Sequence, residues 1–231
     1  MFFVYINLFQ RKLKNRHMTN MLRSLNLEFE RFDAIRPELN DALNISKLVP
    51  RIANYLSNET QIPRGLGVIG CYYSHLNVLK KYRNINKKYL CILEDDICID
   101  ALSIKSINKL IEKINNENLE WDIIRSLLHV TEFSNSLLEY KNTRIFKFKA
   151  PNRQSIYNID PEAHRYAGGA HLQIINVKNI EKIIEYIESD YIYNIDSLYS
   201  TDKINIYAVK DRYFNIKHPQ NLRRLTNIPK V

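Results

Sequence analysis

The sequence predicts an α/β sandwich built on a largely parallel sheet, and three observations carry that prediction. Strand-patterned and helix-patterned segments alternate along the whole chain, the order that yields strand–helix–strand units. Hydrophobic residues make up 45% and aromatics 11% of the 231 residues, enough to bury a real core. No apolar run approaches the roughly 18 residues of a membrane-spanning helix, and there is no internal repeat or low-complexity linker. We therefore expect a single domain over 1–231: a ligand-binding half over about 1–100, a second half over about 101–210 and a basic tail over 211–231.

The elements follow in order. Residues 2–7 form a short buried strand, and with no basic segment or small-residue cleavage site around them they read as a strand and not a signal peptide. Over 9–25, Leu13, Met21, Leu22 and Leu25 fall at helical spacing, with the basic residues facing out. Residues 29–35 alternate like a half-buried strand that Pro37 ends. A polar connection over 36–64 is expected to hold one short helix around 45–56. Helices are predicted over 68–83, 103–118 and 178–188, and strands over 89–93, 121–124, 144–148, 170–176 and 204–209.

Charge is unevenly placed. The formal net charge is +9; residues 10–23 hold five Lys or Arg and no acid, and residues 203–231 hold seven against one Asp. Such clusters suit phosphate-bearing ligands, anionic lipid or nucleic acid, or simply a solubilising surface. Cys71, Cys91 and Cys98 are odd in number and lack paired spacing, which points to reduced cysteines in a cytoplasmic protein.

The five glycines fall in two clusters, 65–70 and Gly168–Gly169. The first spells GLGVIG, the spacing of a dinucleotide fingerprint. No strand precedes it and no acidic residue follows at about 20 positions, so that reading fails. A tight turn into a helix, or a phosphate-binding helix start of another kind, remains.

The stretch YLCILEDDICID over 89–100 is the strongest chemical signal. A buried strand runs straight into Glu94, Asp95 and Asp96, three carboxylates that repel one another. Ligands of open α/β sheets bind beyond the carboxyl ends of strands. Alternation turns Glu94 and Asp96 to one side, where hard oxygens suit Mn²⁺ or Mg²⁺ with a diphosphate, and Asp95 to the other, toward amides or a basic partner. Acidic residues at strand ends also cap following helices.

Several blocks together resemble glycosyltransferase family 25: Ile6-Asn7-Leu8 with Arg11 and Arg16, FERFDA over 29–34, GCYYSHL over 70–76 and LEDD over 93–96. GGAHLQII over 168–175 and NIDSL over 194–198 match more loosely. The resemblance implies a GT-A-type nucleotide-sugar fold with the acidic motif as counterpart of DxD. It implies a UDP-sugar donor, UDP-galactose first and UDP-glucose or UDP-N-acetylhexosamine as rivals, and inverting β-linkage. Val68 stands where the family usually has Glu, and Phe9 where it has a polar residue.

On that resemblance, Asn7, Arg11, Arg16, Ala34, His75, Glu94, Asp95, Asp96, Gly168 and Gly169 belong to the donor site. Glu94 and Asp96, with His218 as a late third ligand, would hold the Mn²⁺ or Mg²⁺. Asp196 is the candidate general base. The implied acceptor is a lipooligosaccharide or other surface glycan, reached at an anionic membrane surface by Lys210, Arg212, Arg223 and Arg224, unless these contact diphosphate. A metal phosphoesterase or nucleotidyltransferase would want a second cluster of carboxylates or histidines, and the sequence has none. A nucleic-acid-binding domain is opposed by three carboxylates in the cleft, so no nucleic-acid partner is expected.

Overall fold

Strand β1 (Phe2–Asn7) lies between β2 (Phe29–Asp33) and β3 (Tyr89–Glu94), parallel to both. This is seen in a computed structural model that describes residues 1–127, 138–140, 146–148, 170–189, 191–192, 194–199 and 203–217. Strand β7 (Leu172–Asn176) pairs antiparallel with β3 and with β4 (Ile123–Leu127), and β8 (Ile206–Lys210) runs parallel to β4. A hairpin of β5 (Leu138–Tyr140) and β6 (Phe146–Phe148) extends the sheet beyond β8, giving the order β2-β1-β3-β7-β4-β8-β6-β5. From β2 to β8 only β7 runs against the others, which bears out the largely parallel expectation.

Period-two alternation builds a core on each face. Phe3 and Tyr5 of β1 and Cys91 and Leu93 of β3 face α1 (Lys12–Ser24), α5 (Ala101–Asn116) and α8 (Asp211–Phe214). Val4, Ile6, Leu90 and Ile92 face α2 (Leu39–Leu43), α3 (Pro50–Ser57), α4 (Ile62–Tyr82), α6 (Ile180–Glu188) and α7 (Ile195–Leu198). Each fully buried Leu, Ile or Phe stabilises by about 1.5–3 kcal/mol, several times an exposed ion pair. These two apolar layers therefore hold the sandwich, not its many surface charges.

Three expectations change. The buried stripe of α1 is Lys14, Met18 and Leu22, while Leu13 is 53% exposed. The helix is rotated from the phase its leucines suggested, because Lys14 has a buried partner. The connection over 36–64 holds two helices, α2 and α3, and then the first turn of α4. And α4 begins at Ile62, with Pro63 in its first turn where a missing N–H costs nothing.

The first glycine cluster therefore sits inside a helix, not at a turn into one. A Cβ on Gly70 would lie 2.4 Å from the Ile35 carbonyl oxygen, and one on Gly65 2.8 Å from Leu56 Cδ2. Among the described residues, a Cβ on Gly67 would meet nothing within 4 Å. Two of the glycines thus let other chain segments press against α4, and Ser74 Oγ fastens one of them by accepting from Ile35 N at 2.8 Å.

Asparagine takes over the left-handed positions that glycine often fills. Asn26, Asn118 and Asn215 have φ of 51°, 51° and 54° just past α1, α5 and α8. After α1, Asn26 N donates to Arg23 O and Leu27 N to Leu22 O, the double closure of a Schellman motif. The same pair of bonds follows α5, from Asn118 N to Asn115 O and Leu119 N to Ile114 O. Asp100 opens α5 with a reciprocal capping box to Ser103, so this fourth acid of the 89–100 stretch is a helix cap.

Candidate active site

The carboxyl ends of β1, β2 and β3 and the first half of α4 enclose a cavity of about 440 Å³. Leu8 and Arg11 contribute from just after β1, Ala34, Ile35 and Arg36 from just after β2, and Glu94 from the end of β3 with Asp95 and Asp96 following it. Helix α4 adds Leu66, Gly67, Gly70, Cys71, Ser74 and His75. Gly67 is the glycine with open space above it, so this wall stays low where the cavity needs room. The Gly70 contact with Ile35 sets how closely the two walls approach.

The three carboxylates have separate fates. Asp95 is 6% exposed and accepts from Lys14 Nζ at 2.8 Å and Asn7 Nδ2 at 2.7 Å, with Arg11 Nη1 at 3.7 Å. A flipped Asn7 amide would set its oxygen against a carboxylate, so the chemistry fixes its orientation. Lys14 itself is buried, and the pair neutralises charge that neither member could carry there alone. Glu94 and Asp96 are half-buried at the cavity. Asp96 makes no ion pair or side-chain hydrogen bond among the described residues.

Glu94 is positioned from two directions. Its backbone N–H donates to His171 O at 3.0 Å, extending the β3–β7 ladder by one bond. Its Oε1 lies 3.9 Å from Cys71 Sγ and 3.8 Å from His75 Nε2. His75 is 1% exposed, packs edge-on against the Tyr199 ring at 5.9 Å, and has no hydrogen-bond partner at either ring nitrogen among the described residues. Burial, then Glu94, then Asp196 push the Cys71 thiol well up.

Asp196 sits on α7 beside this group. Arg125, fully buried on β4, donates from Nη1 to the backbone oxygens of Asp196 and Tyr199, each at 2.9 Å. Burial pulls the Arg125 guanidinium down, against the attraction of Asp196, Tyr199 and Glu94. One guanidinium thus pins both ends of the short helix that carries the candidate base. On the neighbouring strand β7, in register with Arg125, Gln173 is buried and neither amide atom has a hydrogen-bond partner among the described residues.

These residues can be set beside known proteins. A family model described as Glycosyltransferase family 25 (LPS biosynthesis protein) matches residues 1–199. The chain belongs to that family. Procollagen galactosyltransferase 1-B of Xenopus laevis is 25% identical over 120 residues, 52% of this chain and 20% of that protein. Procollagen galactosyltransferase 2 of Homo sapiens is 28% identical over 123 residues, 52% of this chain and 19% of its own length. The chain thus spans about a fifth of the length of the curated relatives it matches. Among solved structures, UDP-glucose pyrophosphorylase complexed with UDP-glucose overlaps at TM-score 0.46 and 11% identity, over 90% of this chain and 89% of that one. Galactosyltransferase LgtC with donor and acceptor sugar analogs overlaps at 0.42 and 12%, over 92% and 74%.

In this family 25 chain the cavity gathers Arg11, Ala34, His75, Glu94, Asp95 and Asp96 of the residues assigned from sequence. Asn7 stands behind Asp95, holding it, and Arg16 is exposed on α1 outside the cavity lining. Gly168, Gly169 and His218 lie outside the described residues, as do Arg223 and Arg224. The sequence reading missed Lys14, Arg36, Cys71 and Arg125. Only Cys71 left a signal there, standing one helical turn from His75 within the GCYYSHL block.

Carboxylate oxygens are the donors that Mn²⁺ and Mg²⁺ take, and Glu94 and Asp96 are the residues here that could hold such an ion. Glu94 and Asp96 offer oxygens at the cavity with no lysine or arginine side chain bonded to either among the described residues, while Lys14 is spent on Asp95. No helix of the described residues is long and apolar enough to cross a membrane.

Proposed function

We propose that the chain transfers a hexose, galactose from UDP-galactose, to a lipooligosaccharide or other surface-glycan acceptor, with Mn²⁺ or Mg²⁺ and inversion at the sugar C1. The observation that carries this reading is the division of the acidic strand end, with Asp95 locked to Lys14 and Asn7 while Glu94 and Asp96 remain at the cavity. Galactosyl transfer is supported by the chain's similarity to the procollagen galactosyltransferases. A bound cation would offset the diphosphate charge that builds as the donor bond breaks.

The chain's own residues supply the rest. Arg11 and the exposed Arg36 flank the cavity with guanidinium groups suited to phosphate oxygens. Asp196 takes the proton from the acceptor hydroxyl as its oxygen bonds to the sugar C1. The C1–O bond to the diphosphate breaks on the opposite face, and UDP leaves with the electron pair. Arg125 holds Asp196 in place through the backbone. The basic residues Lys210 and Arg212 suit an acceptor carried at an anionic membrane surface on the cytoplasmic side.

The test is a calorimetric screen of UDP-, GDP- and CMP-sugars with and without Mn²⁺. UDP-galactose should bind only with the metal, and Asp96→Ala should lose it. Tighter binding of UDP-glucose or UDP-N-acetylhexosamine would reassign the sugar. Metal-independent UDP binding in both proteins would overturn the role of the carboxylate pair.

A further inference from the structure

We infer that Cys71, His75 and Glu94 form a second cation site, selective for a soft divalent ion of the Zn²⁺ class, whose filling withdraws Glu94 from the donor. This rests on the proposed role of Glu94 in donor binding only for its consequence; the site itself stands on geometry.

One sulfur, one imidazole nitrogen and one carboxylate oxygen lie within 4.8 Å of one another. Cys71 and His75 are four residues apart on α4, so their side chains share a helix face one above the other. Glu94 ends β3, its backbone fixed by the bond to His171. All three ligands therefore project from regular elements, which holds their spacing better than loops would. Zinc bonds of about 2.0–2.3 Å ask tetrahedral ligands to stand somewhat over 3 Å apart. The observed 3.8 and 3.9 Å to Glu94 reach that by small side-chain rotations.

A second, independent observation points to a ligand. His75 is almost wholly buried, Nε2 faces Glu94, and neither ring nitrogen has a hydrogen-bond partner among the described residues. An imidazole sealed from water without a partner is costly, and a metal bond at Nε2 removes part of that cost. Thiolate and imidazole together favour Zn²⁺ over Mn²⁺ or Mg²⁺, which prefer oxygen. Three protein ligands leave a fourth position toward the cavity. On binding, the Cys71 thiol gives its proton to solvent and the sulfur takes up the metal bond. Glu94 cannot then serve a harder ion beside Asp96 in the same geometry, so Zn²⁺ acts as an inhibitor of donor binding.

The experiment titrates the full chain with Co²⁺ as a spectroscopic stand-in for Zn²⁺. A thiolate-to-cobalt charge-transfer band should grow to one equivalent and be bleached by Zn²⁺. Cys71→Ser should abolish the band while keeping the metal-free thermal midpoint, and His75→Gln should weaken Co²⁺ binding at least tenfold. Saturating Zn²⁺ should weaken Mn²⁺-dependent UDP binding by the wild type at least tenfold. No band in the wild type would overturn the site. So would a band that survives Cys71→Ser and disappears in Cys98→Ser, because Cys98 Sγ lies 3.4 Å from His17 Nε2. Unchanged UDP binding in Zn²⁺ would overturn the competition. A Cys71-dependent band in a protein that never binds UDP with Mn²⁺ would sink the donor reading and leave the soft site standing.

Discussion

Lys14 Nζ meets Asp95 Oδ1 at 2.8 Å in an ion pair whose side chains are 4% and 9% exposed. Removing one partner of such a pair leaves an uncompensated buried charge, which costs about 3–5 kcal/mol. Lys14→Met should therefore destabilise by that amount in urea unfolding, while Lys12→Met on the exposed side of α1 should change little. Equal effects of the two would mean the pair contributes nothing to stability.

Gly70 and Gly67 make a paired prediction on one helix. Gly70→Ala drives a Cβ against the Ile35 carbonyl and should cost about 1–3 kcal/mol, as over-packing does. Gly67→Ala meets no atom of the described residues within 4 Å and should stabilise by about 0.5–1 kcal/mol, because alanine is the better helix former. Thermal midpoints of the two variants, moving in opposite directions, are the measurement. Two shifts of the same sign would refute the contact.

Asp196→Asn should keep Mn²⁺-dependent donor binding and lower kcat by about 10²–10⁴, the range for loss of a general base. The split between calorimetric binding and turnover decides it. Near-normal turnover would remove Asp196 as base.

Asp100→Ala tests the helix cap through its pH dependence. The bond from the Ser103 N–H, then Asn215 and the Ser103 hydroxyl, hold the Asp100 carboxyl below its ordinary 3.8. A carboxyl lowered on folding contributes stability above its unfolded value and loses it as pH falls through the folded one. The variant should therefore be about 1 kcal/mol less stable at neutral pH, and the gap should close only below pH 3.8. A gap independent of pH down to acid unfolding would show that the carboxylate charge is not what caps α5.

Much of the frame was legible because it depends on local pattern. The alternation of β1 and β3 and the stripe of α5 are written in neighbouring residues, as is the division of Glu94 from Asp95. The phase of α1 was not legible, because Lys14 is inward only through a partner 81 positions away. The reversal of β7 is a long-range pairing choice that its apolar run does not encode. The helix expected from residue 68 begins at Ile62, a start that was not legible because the glycines of 65–70 look like a turn until Leu56 and Ile35 are seen pressing on them. The meeting of Cys71, His75 and Glu94 needs the register of a helix against a strand, which spacing within either element does not contain.

The burial of the Lys14–Asp95 pair has a consequence for ionic strength. At 1 M salt the screening length shrinks to about 3 Å, and exposed pairs such as Lys80–Glu188, Lys81–Glu30 and Lys87–Glu28 lose most of their attraction. Counter-ions reach the Asp95 pair poorly, since so little of either side chain meets water. The rim of the sandwich is therefore electrostatically soft while the floor of the cavity is salt-hard, and the aim of Glu94 and Asp96 survives in brines that loosen the surface around them.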